Sequence, residues 1–376
     1  MPEQPSAPDL IAEPHPSNRP HARFVTVALA GVLLLATLYT LYFASEFAIP
    51  VVAAVILSLV FSPLVRSLSR RGVPSTLTGG LIVLSIIGAL SAGIYQLSDS
   101  ATQWLNRAPS VLSQLDYKLR ELKRPVQKVQ AATDQVEKLA NVGNEGKKTS
   151  SQNVVVKPAG ILEQIFGTMR TVLVQLSVTL VLLFFLIGSG DIFKMKLVTA
   201  MARYSDKKRT ICIWRDVESN VSVYILTITV INICLGLTIA GGLYAIGLPN
   251  ALLWGTMAVL LNFIPYLGAL VGLAVVTVVS IITFDSLGTA IIAPLIYAGC
   301  NLIESQLVTP SILGRRLALN PVVVFISVIF WGWLWGMPGA MMAVPLLIIV
   351  HVLCSNIPGL YFISDLLTLE PQTRAE

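Results

Sequence analysis

The chain has 376 residues, of which 55% are hydrophobic and 12% charged, with a net charge of +6 and a mean hydropathy of +0.75. A water-soluble domain carries about 25% charged residues, whereas a membrane span needs about 20 consecutive apolar ones, so the composition excludes a soluble globular protein and specifies an all-α polytopic membrane protein. The positive charge does not indicate nucleic acid, because the basic residues gather at the edges of apolar runs, where lipid headgroups are the counter-charge.

In chain order, the Pro-rich residues 1–21 have no apolar periodicity and read as a disordered tail. Residues 22–98 form the first transmembrane part, with spans at about 24–43, 47–66 and 76–97. The first of these follows Arg19, His21 and Arg23 as a signal peptide would, but it runs through Glu46 into the next span without a small-residue cleavage site and reads as a retained helix. Residues 99–165 are a soluble helical insertion. Within it Leu112, Leu115, Leu119, Leu122, Val126, Val129 and Val136 recur at helical spacing, and this seam pairs either with a neighbouring subunit or with its own protomer or the membrane surface.

Residues 166–358 form the second transmembrane part, with spans at about 169–188 and 224–246 and a basic, interfacial cytoplasmic segment at 189–221 between them. Arg66, Arg70 and Arg71 follow the second span, and Lys194, Lys196, Arg203, Lys207, Lys208, Arg209 and Arg215 follow the fourth. By the positive-inside rule both termini, including the tail 359–376, face the cytoplasm and residues 99–165 face the opposite side.

Two later runs, 250–282 and 320–352, are each about 50 Å long if fully helical, too long for one upright crossing. Both are punctuated midway, by Pro265-Tyr266-Leu267-Gly268 and by Gly336-Met337-Pro338-Gly339, and they flank an intact span at 287–303. They are either kinked helices or re-entrant hairpins; hairpins keep Arg315 and Arg316 on the cytoplasmic side. Irregular backbone at membrane depth is tolerated only where protein or a water-filled cavity covers it, so the paired breaks point to a transport site lined by Asn262, Pro265, Tyr266 and Gly268 together with Gly336 and Gly339.

Glu304, at the end of span 287–303 and beside Asn301 and Gln306, is the first candidate for coupling to a proton or cation, since an ionisable group at such depth needs an ion, a polar partner or water. An interfacial carboxylate, or a pair with Arg315 or Arg316, is the structural alternative. Asp285 is a second candidate, with helix N-capping as its plainer role. Asn232, Gln175 and Gln96 read as polar contacts between helices.

Cys212, Cys234, Cys300 and Cys354 are widely separated, and His15, His21 and His351 form no cluster with them. With no HExxH, Gly-x-Ser-x-Gly or Walker A sequence, neither an enzyme, a metal site nor a cofactor is expected. A scaffold does not require two broken intramembrane elements and a channel would show a stronger polar lining, so a transporter leads.

At Leu261-Asn262-Phe263-Ile264-Pro265-Tyr266-Leu267-Gly268-Ala269, Asn301-Leu302-Ile303-Glu304-Ser305-Gln306-Leu307-Val308-Thr309-Pro310, Leu313-Gly314-Arg315-Arg316 and Leu319-Asn320-Pro321 the chain resembles the AI-2E transporter family. Ile49-Pro50, Ser62-Pro63, Arg70-Arg71-Gly72-Val73-Pro74, Gly247-Leu248-Pro249 and Ala343-Val344-Pro345 extend the likeness along most of the chain, with Asn320 as a departure from the family's usual residue. The resemblance implies about eight transmembrane segments in a bacterial inner membrane and export of the quorum-sensing molecule autoinducer-2, a small polar solute. Sodium(lithium)/proton antiport is the alternative it implies, with a proton or sodium ion as partner, and a homo-oligomeric assembly in the bilayer.

Overall fold

The computed structural model describes residues 19–104, 159–199, 204–313, 319–357 and 359–368. The apolar seam expected between Leu112 and Val136, residues 1–18 and 369–376 of the expected tails, and the Arg315-Arg316 pair lie outside the described residues. The chain divides into two compact units, Met1–Ala48 and Ile49–Glu376. In the first, α1 (Arg19–Phe43) is an apolar helix whose Thr37 and Thr40 hydroxyls donate to carbonyls one turn back, which removes their polarity from lipid.

The second unit opens within α2 (Ser45–Arg70), which has Glu46 in its first turn and Arg70 in its last, each complementing the helix dipole. It stops at Gly72, whose φ of 86° and the 3.2 Å bond from Val73 N to the Leu68 carbonyl form a left-handed helix cap. The chain then reverses into α3 (Ser75–Trp104). Ala54, Ile82, Leu180, Leu183 and Ile187 bring α2 and α3 together with α4 (Ala159–Thr199) in one apolar cluster. Helix α5 (Tyr204–Ala245) follows. The basic segment expected between two spans is therefore helical over much of its length: Lys, Arg and Glu are good helix formers, and hydropathy marks the bilayer thickness rather than the helix ends.

Both punctuated runs fold as helical hairpins. In the first, α6 (Ala251–Leu261) and α7 (Leu267–Thr283) lie side by side, with Ala251, Trp254 and Ala258 in one buried cluster with Val276 and Val279. A straight helix would hold Trp254 and Val279 about 38 Å apart. The link between hairpins is α8 (Leu287–Ala290), α9 (Ile292–Ile303), a π-helical turn at Glu304–Val308 and α10 (Thr309–Leu313).

The second hairpin is α11 (Pro321–Asn356), whose helical course breaks at Gly336, with φ 65° and ψ −146°. Ser327 donates to the Ala343 carbonyl at 3.2 Å, and a Cβ at Gly332 would lie 3.6 Å from that of Ala340, so the two arms run antiparallel. Asn320 caps its start by accepting from Val322 N at 3.0 Å. The short α12 (Tyr361–Leu367) returns to that start, where Asn320 N donates to the Leu367 carbonyl at 2.9 Å.

Among the described residues six helices are long and apolar enough to cross a membrane, and Ala28–Phe43, α6 and α7 are shorter apolar helices. Leu81, Leu84, Leu237 and Leu270, all more than half exposed, point outward from their helices, as lipid contact requires and water would oppose. The second hairpin is the interior element: 56% of its most apolar stretch is buried, against 17% for α3. The chain is a multi-pass membrane protein.

Candidate functional site

Helix α5 organises the site, because the two hairpins open from its opposite ends. The first hairpin starts at the C-terminal end, where Leu248 N bonds the Leu243 carbonyl at 3.0 Å, and α6 then runs back along α5. Gly236 and Gly255 allow the approach: a Cβ at Gly236 would lie 2.6 Å from the Gly255 carbonyl oxygen, and one at Gly255 2.5 Å from that of Gly236. The second hairpin closes at the other end, where the Arg209 guanidinium donates to the Asn356 carbonyl.

The tip of the first hairpin lies beside the middle of α5. Asn262 Nδ2 donates to Asn232 Oδ1 at 2.9 Å. Asn232 is fully buried, and its own Nδ2 has no hydrogen-bond partner among the described residues. Exchanging oxygen and nitrogen on both amides would preserve the pair but leave an unmatched oxygen, so in either assignment one polar atom of Asn232 has no partner among the described residues. The pair is the interhelical polar contact expected of Asn232, and it engages one of the amide's two polar atoms.

Pro265 removes a donor and ends the first arm, and Tyr266 follows with φ 64°, a costly conformation for a non-glycine residue. Gly268 makes the turn possible, since a Cβ there would lie 1.8 Å from the Leu261 carbonyl oxygen. Just before them, Ile264 packs in a buried cluster with Val328, Ala340 and Ala343 of the second hairpin, and the Tyr266 ring meets Phe325 edge-on at 6.3 Å. The two broken elements thus meet through the tip of one and the arms of the other. Gly336 is exposed at its own tip, whereas Gly339 is buried, its missing side chain admitting the Trp331 carbonyl. The sequence pattern marked both breaks but not the register of their contact, which depends on where each hairpin enters.

Glu304 lies within the long apolar helix Leu287–Leu313 rather than at the end of a span, and it opens the π-helical turn. Such turns widen a helix locally and recur at functional sites. The half-buried carboxylate accepts from the Thr309 hydroxyl and lies within electrostatic reach of Tyr224 on α5. Tyr224 and Asn232 are eight residues apart, about 12 Å along the axis. Asn301 is turned back on its helix, donating to the Tyr297 carbonyl at 2.8 Å, and Gln306 is exposed. Asp285 is exposed between α7 and α8, and the N-cap of α8 is its neighbour Ser286, which accepts from Thr289 N at 3.2 Å. Among the described residues no group of His, Cys, Asp and Glu side chains is arranged to hold a metal ion.

One charged site escaped the sequence reading. Glu218 on α5 is buried and paired with Arg66 of α2 at 2.8 Å. The available signal was Glu218 itself, a carboxylate shortly before an apolar run, but the surrounding charges disguise it as interfacial.

Comparison with known proteins agrees with this architecture. The family model for AI-2E family transporters matches residues 32–359. The AI-2 transport protein TqsA of Escherichia coli (strain K12) is 28% identical over 91% of this chain and 95% of its own. YhhT of the same organism is 24% identical over 86% of this chain and 85% of its own, and YueF of Bacillus subtilis (strain 168) 25% identical over 84% and 85%. Both are named provisionally as transport proteins.

Proposed function

Since the chain belongs to the AI-2E family of transporters, we propose that it moves a small polar solute, autoinducer-2 or a molecule of similar chemistry, outward across a bacterial inner membrane. The observation that carries this reading is the Asn232–Asn262 amide pair at the meeting of two opposed hairpins, with a buried amide atom left unmatched. A polyhydroxylated solute is recognised by amides and free backbone groups without a full charge, and a site that hydrogen-bonds a hydroxyl discriminates strongly against analogues lacking it. Opposed broken elements near the middle of a helix bundle are a geometry in which one gives way on each side in turn.

Transport runs by a secondary or facilitated mechanism. Glu304 is the residue we assign to ion coupling, and its location within an apolar helix favours sodium(lithium)/proton antiport as the second reading. Asn301, Gln306 and Asp285 take supporting places along the route, and Pro265, Gly268, Gly336 and Gly339 shape the breaks. Both termini face the cytoplasm, and copies of the chain associate in the bilayer.

The test is flux in proteoliposomes, with autoinducer-2 detected by mass, with and without imposed pH and sodium gradients. Saturable flux above that of protein-free vesicles is expected. Gradient-driven sodium/proton exchange without any autoinducer-2 flux would replace the first reading with the second.

A further inference from the structure

The buried face of α5 carries a charged contact that the solute site does not use. Glu218 has a side chain 3% exposed, and its Oε1 meets Arg66 Nη1 at 2.8 Å, while Arg66 is 52% exposed. The Ser62 hydroxyl donates to the same carboxylate oxygen. One turn along α5, the buried Ser222 hydroxyl donates to the Val60 carbonyl at 3.2 Å. The carboxylate is thus sealed between two helices, and its counter-charge reaches in from the accessible side.

Glu218, Ser222, Thr229 and Asn232 follow one another on α5 at spacings of four, seven and three residues, which places them within one sector about 80° wide. Val221, Ile231, Leu235, Ile239 and Leu243 make the remainder of the buried face apolar. One end of the polar sector is the Asn232–Asn262 pair, and the other is the Arg66–Glu218 pair. Pro63 stands inside α2 between Ser62 and Arg66, where it removes the hydrogen bond to the Leu59 carbonyl and lets the helix bend at the contact.

We propose that the Arg66–Glu218 pair, completed by Ser62, is a latch that closes one end of this polar sector and opens during transport. Glu218 is a positioning residue in it, holding α2 against α5 without touching the solute. The latch rests on the assignment of Asn232 and Asn262 to the solute route. Loss of the Arg66 charge leaves the buried Glu218 carboxylate less well compensated, and loss of the Glu218 charge leaves the half-exposed Arg66 less firmly held to α5, so either change favours the open arrangement.

The experiment reads how fast an aqueous thiol reagent modifies Ser222→Cys, in the full chain in proteoliposomes with the four native cysteines replaced by serine. Slow modification is expected with the pair intact. Arg66→Gln or Glu218→Gln should raise the rate about tenfold in folded protein, and Arg66→Glu with Glu218→Arg should return it to within about threefold of the parent. Arg66→Lys, which keeps the charge but loses the fork, should raise it about threefold and serves where the neutral variants do not assemble. A rate that none of these substitutions moves overturns the latch, as does a reversed pair that reacts as fast as the neutral variants. Flux is measured separately, so a parent protein that labels as described yet carries no autoinducer-2 refutes the solute reading and with it the latch's part in transport, while closure of the polar sector by the Arg66–Glu218 pair stands.

Discussion

Leaving a buried amide atom unpaired costs about 1–3 kcal/mol, a cost that folding alone gives no reason to retain at Asn232. Asn232→Leu removes that atom while keeping the γ-branch and the number of side-chain heavy atoms, and Asn262 is half-buried. The variant is expected to keep or raise its thermal midpoint in detergent while losing about tenfold or more in autoinducer-2 flux. A stable variant with parental flux would return Asn232 to a packing role. Glu304→Gln tests coupling: it keeps the shape and the Thr309 contact but not the charge. It is expected to assemble normally, retain solute exchange and lose gradient-driven net flux; loss of flux only in proportion to lost folded protein would make Glu304 structural. Glu304 was legible in the sequence because a carboxylate in an apolar run is rare. Glu218 was not, because nothing local shows that Arg66, 152 residues earlier, folds against it.

At the scale of elements, the hairpins depend on glycines for different reasons. A Cβ at Gly268 meets the Leu261 carbonyl and one at Gly339 the Trp331 carbonyl, at 1.8 and 2.1 Å, so alanine at either position must prise the arms apart. At Gly336 a Cβ meets nothing within 4 Å, and the cost is the positive φ alone, about 1–3 kcal/mol. Gly241, inside α5 with no neighbour within 4 Å, should accept alanine with a gain of about 1 kcal/mol. The expected order of folded protein recovered is Gly241→Ala, then Gly336→Ala, then Gly268→Ala and Gly339→Ala; size-exclusion profiles of the solubilised variants check it. That both runs are broken was readable from Pro265, Gly336 and Pro338. That the breaks are reversals was not, because the decisive contacts, such as Ser327 with Ala343, join residues sixteen apart.

The whole molecule was the most legible scale, since apolar runs of bilayer length need no tertiary information to identify. The proposed orientation rests on the distribution of Arg and Lys, and it predicts that Lys123→Cys is modified by an impermeant reagent added outside intact cells. Modification only after the cells are opened would reverse the topology. The proposed transport cycle requires the opposed hairpins to part where Ile264 meets the second hairpin. It is tested most directly by flux through the Ile264→Cys/Ala340→Cys variant, in a background with the native cysteines replaced, before and after a short cleavable thiol link joins the two positions. The linked protein should lose flux by at least about tenfold and recover it on cleavage, as expected when a required conformational step is blocked. Parental flux through fully linked protein would contradict it.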